Sequence, residues 1–290
     1  MKKQSDYKQQ ILTPAVVNAL ISNAEAPYSP LIHIPSGTGL MDGGNTEPTS
    51  LALQAAFSSN TALTATAPLP SVNTDITFGA PQIDLAFPKG ALTAAGLHEF
   101  NPKHHRDQIA TYKTTLALSA RQQQANPGTP VFCFLTEDQK QLLEWLKSDA
   151  AESVNLAKDD IIIITAKYSD DLLWAIEETL HTTGPAAIIA HFNTLDSLAA
   201  QRLAITSRTK GVPVFLVCNH PIEGPIHAET RWTLQQAVSP ESQKPHSQLT
   251  AIYIKIDPEN KQSWAIRWNS ANNRFSASLL SNESSVATLH

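Results

Sequence analysis

Five short apolar runs, separated by longer amphipathic stretches, constrain the fold of this chain more than any other feature. The runs occupy residues 97–100, 130–135, 160–165, 186–192 and 213–217. The later runs are continuous and rich in β-branched residues, which is typical of strands buried on both faces of a parallel sheet. The intervening stretches, at residues 107–124, 137–149, 170–181 and 195–210, have helical character. The alternation predicts an α/β fold, with a mostly parallel sheet flanked by helices and right-handed crossovers.

The pattern changes after Asn219, where strand-like segments alternate with turn-rich ones. The segments lie at residues 230–237, 249–256, 263–268 and 274–280, and residues 257–260 and 269–273 are typical of turns. Short connections favour antiparallel pairing, so we expect this region to extend one edge of the sheet. The predicted organisation is an α/β core over residues 81–225 and an antiparallel C-terminal extension with a tail over residues 226–290.

The N-terminal quarter contains two different kinds of sequence. Residues 1–25 predict an amphipathic helix whose apolar stripe ends at Ile21. That stripe suits docking either on the chain's own domain or on a neighbouring copy. Residues 26–80 are rich in Ser, Thr, Asn, Pro and Ala, and such a composition buries little apolar surface. We therefore predict a mobile linker over residues 26–80.

Composition and charge argue against several classes of protein. Of the 290 residues, 42% are hydrophobic and 16% charged, which is enough for a full core. We find no apolar span of transmembrane length and no signal-peptide core, so we expect a soluble cytoplasmic protein without membrane contact. Cys133 and Cys218 lie in apolar runs, which predicts buried free thiols. The net charge of −5 predicts that any contact with DNA is weak or indirect.

The connection between the first strand and the first helix of the core stands where NTPases carry a phosphate-binding loop. In such a loop, glycines let backbone N–H groups surround a phosphate, a Lys neutralises it and a hydroxyl binds magnesium. Here Asn101 and Arg106 stand at the glycine positions, Asp107 at the Lys position and Gln108 at the hydroxyl position. An acid at the Lys position repels phosphate. The segment equally fits an ordinary strand-to-helix turn, with Asn101 as N-cap and Pro102 at the first helical position.

Several short motifs follow one another in an order and spacing that resemble a known family. They are Ile83-Asp84-Leu85-Ala86-Phe87-Pro88-Lys89-Gly90-Ala91-Leu92, Gly96-Leu97-His98-Glu99, Asp171-Leu172-Leu173-Trp174-Ala175-Ile176-Glu177-Glu178, Ala187-Ile188-Ile189-Ala190, Ser197-Leu198-Ala199-Ala200-Gln201-Arg202-Leu203-Ala204, Arg231-Trp232-Thr233-Leu234 and Ser263-Trp264-Ala265-Ile266-Arg267-Trp268-Asn269. Over roughly residues 78–280 the chain resembles the ImuA proteins, which are RecA- and SulA-related accessory factors of DNA-damage-inducible mutagenesis.

This resemblance implies a RecA-like fold that commonly lacks an intact ATP loop. A RecA-type ATPase ends its magnesium-binding strand with an acid, whereas this chain has His191 there. Glu137 stands where RecA-like enzymes orient the attacking water, and we interpret it instead as an acid that complements a helix dipole. We therefore expect no catalytic residue, no cofactor and no metal at the degenerate loop positions, which are Asn101, Arg106, Asp107, Gln108 and His191.

Other candidate sites are interpreted as structural. His104 and His105 are adjacent, with no acid or Cys at helical spacing, so we expect exposed loop histidines rather than metal ligands. His98 and Glu99 should face opposite sides of the sheet. We expect the basic helix face formed by Arg202, Arg208 and Lys210 to be solvated. We expect the strand residues Trp264 and Trp268 to lie in the core.

The resemblance implies a non-catalytic scaffold in SOS-induced, error-prone translesion DNA synthesis. The implied partners are the polymerase subunits of the mutasome, and RecA as a further one. The alternative is a SulA-like cell-division inhibitor that binds the tubulin-like division protein, and a residual ATPase with an unconventional loop is a third hypothesis. SulA-type chains are much shorter and would not need the sequence beyond Thr230, which favours the scaffold.

Overall fold

The computed structural model describes residues 31–34, 75–87, 89–148, 150–181, 185–223, 227–238, 245–253 and 257–280. The predicted helix at residues 1–25 lies outside these ranges, as do most of the predicted linker and residues 281–290. In the part that is described, no helix is long and apolar enough to cross a membrane.

Strands and helices alternate through the core, as the apolar runs predict. The strands are β1 (Leu31–Ile34), β2 (Gly96–Pro102), β3 (Val131–Thr136), β4 (Ile161–Ala166), β5 (Ala187–Phe192), β6 (Pro213–Cys218), β7 (Thr230–Val238), β8 (Pro245–Tyr253), β9 (Asp257–Asn269) and β10 (Arg274–Leu280). The α-helices are α1 (Pro81–Asp84), α2 (Gln108–Ala125), α3 (Lys140–Ser148), α4 (Ala150–Ser153), α5 (Ser169–His181) and α6 (Ser197–Lys210).

The strands form one sheet in the order β1-β4-β3-β5-β6-β2-β7-β8-β9-β10. Along this order in the sheet, every pair of neighbouring strands from β1 through β2 to β7 is parallel. They are antiparallel from β7 to β10. The α/β fold with a mostly parallel sheet and a C-terminal antiparallel extension is thereby confirmed. Strand β6 pairs in parallel with β2 on one side and with β5 on the other, so the carboxyl ends of these three strands lie at the same end of the sheet. Ligands bind at this end in many α/β proteins.

Helices cover both faces of the parallel strands. The face that we call the α2 face packs against α1, α2, α3 and α4, and the opposite α5 face packs against α5 and α6. Strand β4 shows why its run is apolar throughout, since Ile161 and Ile163 belong to the α2-face core while Ile162 and Ile164 belong to the α5-face core. A stretch of strand that lies between two apolar cores has no exposed position, which favours apolar residues throughout it.

Two pieces of the predicted linker belong to the sheet and its core. Strand β1 pairs in parallel with β4, so Leu31 lies opposite Ile163. Farther along, Ile76 forms a backbone bridge with Leu92, and Phe78 is fully buried on the α2 face. Composition conceals these pieces because they are too short to generate a periodic pattern, and their positions depend on residues that lie farther along the sequence.

The segment before α1 is held in place by two side chains. Arg121 of α2 donates from Nε to Thr77 O at 2.7 Å and also bonds the backbone oxygen of Asn273. Asp84 accepts hydrogen bonds from the backbone N–H groups of Phe78 and Ala80, at 2.7 and 3.1 Å. The carboxylate of the Ile83-Asp84 motif therefore has a structural role, because it fixes the chain that enters the core.

Three elements, α3, β8 and β9, have boundaries that differ from the expected ones, and β8 occupies Pro245–Tyr253 instead of residues 249–256. Helix α3 begins at Lys140 rather than at Glu137, because the Thr136 hydroxyl bonds to the Asp138 side chain and holds a turn between β3 and the helix. Strand β9 begins at Asp257, within the predicted turn at residues 257–260. Tyr253 pairs with Asp257, so the connection between β8 and β9 falls at residues 254–256, which are not described.

Candidate functional site

The connection between β2 and α2 differs in shape from both interpretations of its sequence. Asn101 and Pro102 are the last residues of β2 and pair with Thr233 and Leu234 of β7. The interpretation of Asn101 as N-cap and Pro102 as first helical residue is therefore wrong, because pairing with β7 extends the strand. A single 3₁₀ turn follows at His105–Asp107, and α2 begins only at Gln108.

Backbone N–H groups of this connection donate within the protein. Lys103 N donates to Leu234 O at 2.8 Å, His104 N to Asp107 Oδ2 at 3.0 Å, and Asp107 N to His104 O at 2.8 Å. A phosphate-binding loop instead leaves such donors free to converge on an anion. These three donors are consequently unable to serve a phosphate in this conformation.

Asp107, at the Lys position of an ATP loop, is a buried anchor. Its side chain is completely inaccessible to solvent, and Oδ1 accepts from the backbone N–H of Gln236 in β7 at 3.0 Å. Oδ2 accepts from His104 N on the other side. One carboxylate thus joins the connection to the antiparallel extension. Arg106 is exposed, and its backbone φ is not positive, so this position does not use the left-handed conformation that favours glycine.

A network of neutral side chains occupies the carboxyl ends of β2, β3, β5 and β6. Gln108 Nε2 lies 2.8 Å from Gln139 Oε1, 2.8 Å from His191 Nε2 and 3.4 Å from Asn219 Oδ1. Asn219 Nδ2 donates in turn to Asn193 Oδ1 at 2.7 Å. The hydroxyl position and the acid position of an ATPase are therefore in direct contact here, but an amide and an imidazole replace the hydroxyl and the carboxylate.

The imidazole of His191 is fully buried, and its environment favours the neutral form. Burial lowers its pKa from 6.5 to about 4, outweighing the charge of Asp138 and the hydrogen bond that a protonated ring donates to Asn219 Oδ1, both of which raise the pKa. Gln108 Nε2 donates toward Nε2 of the ring, so the proton of the neutral imidazole belongs on Nδ1. Nδ1 is buried without a hydrogen-bond partner among the described residues. The five side chains of the network accordingly carry no charge, and the carboxylate of Asp138 lies at its margin, 3.4 Å from Gln139 Nε2.

We predict that acid destabilises the protein through His191. A His whose pKa falls on folding binds its proton more readily when unfolded, so stability is complete above the unfolded pKa of 6.5 and declines as the pH falls toward 4. Between about pH 7 and pH 5, the loss from this one group is roughly 2 kcal/mol. Urea unfolding at both pH values measures it. The matched variant His191→Asn should lose roughly 2 kcal/mol less over the same interval; identical losses would contradict the assignment.

On the α5 face of the sheet, opposite the face of this network, β2 contributes to a buried ion pair that the sequence did not reveal. Glu99 Oε2 accepts from Arg231 Nε at 2.7 Å, with side-chain exposures of 1% and 13%. The other oxygen, Oε1, accepts from Asn101 Nδ2 at 3.2 Å and from the backbone N–H of Ile222 at 3.1 Å. Asn101 also donates to Cys218 O at 3.1 Å. At the first glycine position, the chain thus has a buried amide that joins β2 to the end of β6.

His98 lies on the opposite side of β2 from Glu99, as the strand period predicts. Its Nε2 contacts Thr93 O at 2.9 Å, and its Nδ1 contacts Thr230 Oγ1 at 2.8 Å. Trp232 Nε1 donates to the same hydroxyl at 2.8 Å. A carbonyl oxygen can only accept, so Nε2 carries a proton and donates it to Thr93 O. His98 is a core residue that joins β2 to β7.

The remaining candidates mostly behave as the structural interpretations predict. His104 and His105 are exposed, and the described residues contain no group of three or more potential metal ligands. Glu137 is exposed, but it precedes α3 instead of lying in its first turn, so the helix-dipole interpretation is wrong. On α6, Arg202 pairs with Glu177 at 2.7 Å and Arg208 with Glu229 at 2.6 Å, which balances the charge of the basic face.

The two strand tryptophans share the α2 face, as expected. Trp264 is fully buried and donates from Nε1 to Gln82 O at 3.0 Å, whereas Trp268 is only partly buried and packs edge-on against Phe275. Phe275 lies 4.9 Å from Trp268 between ring centroids. Trp264 is therefore a core residue of the antiparallel extension, and Trp268 lies near the rim of that core.

Sequence reasoning missed Gln139, Asn193 and Asn219 as members of the neutral network. Asn193 and Asn219 directly follow the apolar runs of β5 and β6, and polar residues at the carboxyl ends of parallel strands are the signal that points to them. Gln139 is unmarked in the sequence, because the turn before α3 alone brings it to Gln108. In comparisons with known proteins, no family model and no curated sequence matches this chain.

Proposed function

We propose that this chain is a non-catalytic accessory protein with a RecA-like fold, which acts by holding other proteins rather than by hydrolysing a nucleotide. The observation that carries the proposal is the connection between β2 and α2. Its Lys position holds a buried carboxylate that is bonded to β7, and its backbone donors are bonded within the protein. Nucleotide binding at this place would require both sets of bonds to break and a buried negative charge to face a phosphate.

The biological role in this proposal is error-prone translesion synthesis in the SOS response. The motifs that resemble the ImuA proteins support it, and so does the position of the C-terminal sequence. Strands β7 to β10 continue the main sheet, and Trp232 and Trp264 from them are fully buried in its core. A chain built on the shorter SulA pattern has no need for that extension. The proposed partners are polymerase subunits of the mutasome and RecA, in the cytoplasm, with weak or indirect contact to DNA.

Isothermal titration calorimetry tests the non-catalytic part of the proposal. Titration of the full chain with ATP and magnesium should give no binding heat up to millimolar nucleotide, because the loop has no free anion donors. An active RecA-type ATPase, titrated in the same buffer, is the positive control. Micromolar binding that requires magnesium would overturn the proposal and revive the residual-ATPase hypothesis.

A mutagenesis assay tests the biological role separately. In the source organism, deletion of the gene should lower the frequency of ultraviolet-induced mutants toward the spontaneous level, and the full chain supplied in trans should restore it. Overproduction in undamaged cells discriminates the alternative, since a SulA-like inhibitor would produce filamentous cells. Filamentation with unchanged induced mutagenesis would contradict the scaffold role and favour the division inhibitor.

A further inference from the structure

Strand β10 lies at one edge of the described sheet, and the segment at Phe78 bonds to that edge only at Phe275 among the described residues. The strand pairs only with β9 among the described strands. Phe275 N donates to Phe78 O at 3.0 Å, on the side of β10 that faces away from β9. This bond shows which residues of β10 direct their backbone N–H and C=O groups away from β9. Because alternate residues of a strand direct their N–H and C=O groups to opposite sides, Ala277 and Leu279 also direct theirs outward. An edge with outward N–H and C=O groups is a template for another strand.

The side chains of this edge lack the usual protection against strand addition. Natural edge strands carry Lys, Pro or a bulge, and the described edge from Ser276 to Leu280 has none of these. Ser276 and Ser278 are exposed on one face. Leu279 is 62% exposed on the α2 face, directly across from the buried Trp264. Apolar surface of Leu279 is therefore exposed to solvent directly beside the buried Trp264, at the edge of the α2-face core.

We propose that β10 pairs antiparallel with β10 of a second copy of this chain, about a two-fold axis that passes between the two Ser278 residues. In this register Ala277 lies opposite Leu279 of the second copy, and Leu279 opposite its Ala277. Both residues direct their backbone groups outward, so each pair exchanges two hydrogen bonds. A register shifted by one residue would oppose outward groups with inward ones and form none of these bonds.

The side chains are compatible with this two-fold arrangement. The small Ala277 leaves room for the facing Leu279, and the two Leu279 side chains become diagonal neighbours on the α2 face, within reach of each other. No charged residue lies between Ser276 and Leu280, so the pairing brings no like charges into direct opposition. A second copy is the occupant we infer, because two identical strands in this register place the small Ala277 opposite each Leu279 and bring no charges together. The proposal is independent of the role in mutagenesis.

Disulfide trapping tests the register. At a non-hydrogen-bonded antiparallel pair the Cα atoms are about 4.5 Å apart, which is within the range that a disulfide spans. Ser278→Cys should therefore give a covalent dimer under mild oxidation. Ser276→Cys is the matched control, since it faces the same side of the same strand but lies opposite Leu280 of the second copy and should not cross-link. The native Cys133 and Cys218 are fully buried, and burial raises the pKa of both thiols, so they contribute little background.

Sedimentation equilibrium of the full chain tests the association itself. The wild type should be dimeric, and Leu279→Lys should weaken dimerisation at least about tenfold, because an apolar contact is lost and two ammonium groups approach each other. Leu198→Lys is the control, since Leu198 is 65% exposed on α6, far from this edge in the fold. A wild type that stays monomeric at about 100 μM, well above the dissociation constant of a stable dimer, would overturn the proposal. So would equal cross-linking of the Ser278→Cys and Ser276→Cys variants, or equal weakening by both Lys substitutions.

Discussion

Trp264→Ala should lower the free energy of unfolding by about 3–5 kcal/mol, the range for removing a fully buried Trp. The ring is inaccessible to solvent, lies 6.4 Å from the ring of Trp232 and donates to the carbonyl oxygen of Gln82. Its loss leaves a cavity between β9 and α1 and leaves that carbonyl without its partner. Urea unfolding at neutral pH measures the change.

Trp268→Ala is the matched comparison for that loss. Trp268 is only partly buried, and its indole N–H has no partner among the described residues, so its replacement should lower the free energy of unfolding by clearly less. The sequence alone predicts equal roles for the two tryptophans. If Trp264→Ala changes stability by less than about 1 kcal/mol but abolishes capture of a polymerase subunit, Trp264 is a binding residue and its assignment to the core is wrong.

The second large effect concerns the buried ion pair between β2 and β7. Glu99→Ala should lower the free energy of unfolding by about 3–5 kcal/mol, because it leaves the Arg231 guanidinium desolvated without a counter-charge. It also removes the acceptor for Asn101 Nδ2 and for the backbone N–H of Ile222. Chemical unfolding of the purified variant is the measurement.

Two further variants separate the causes of that effect. The double variant Glu99→Leu with Arg231→Met should recover most of the lost stability, since apolar residues of similar size often replace a buried pair at no net cost. Glu177→Ala breaks the exposed pair with Arg202 and should change stability by less than about 1 kcal/mol. A double variant as unstable as Glu99→Ala would contradict the ion-pair explanation.

The alternation of runs was sufficient to predict the core elements. β2 to β6 lie within two residues of the predicted runs, because burial on both faces favours apolar residues at successive positions, as at Ile161 to Ile164. The same logic predicted that His98 and Glu99 lie on opposite faces. Ends of elements were harder to predict, since the start of α3 depends on the side-chain bond between Thr136 and Asp138.

The degenerate loop is readable in the sequence, but its structural role is not. Residue identity alone puts an acid at the Lys position and an imidazole at the acid position. That Asp107 bonds to the backbone of Gln236 depends on β7 lying beside β2, and these two residues are separated by most of the core. In the same way, Gln108 meets Gln139, His191 and Asn219 only because the carboxyl ends of four strands converge.

The sequence by itself determined the α/β class of this protein, the antiparallel nature of its C-terminal strands and the identity of the residues at Asn101, Arg106, Asp107 and Gln108, none of which is Gly, Lys, Ser or Thr. These properties follow from local periodicity and from residue identity at fixed spacing. Only the tertiary structure decided that Leu31 joins the sheet and Phe78 the core, that Arg231 neutralises Glu99, and that β10 is the last of the described strands at its edge of the sheet. Each of these depends on contacts between segments far apart in sequence, and local propensity contains no information about which distant strand becomes a neighbour.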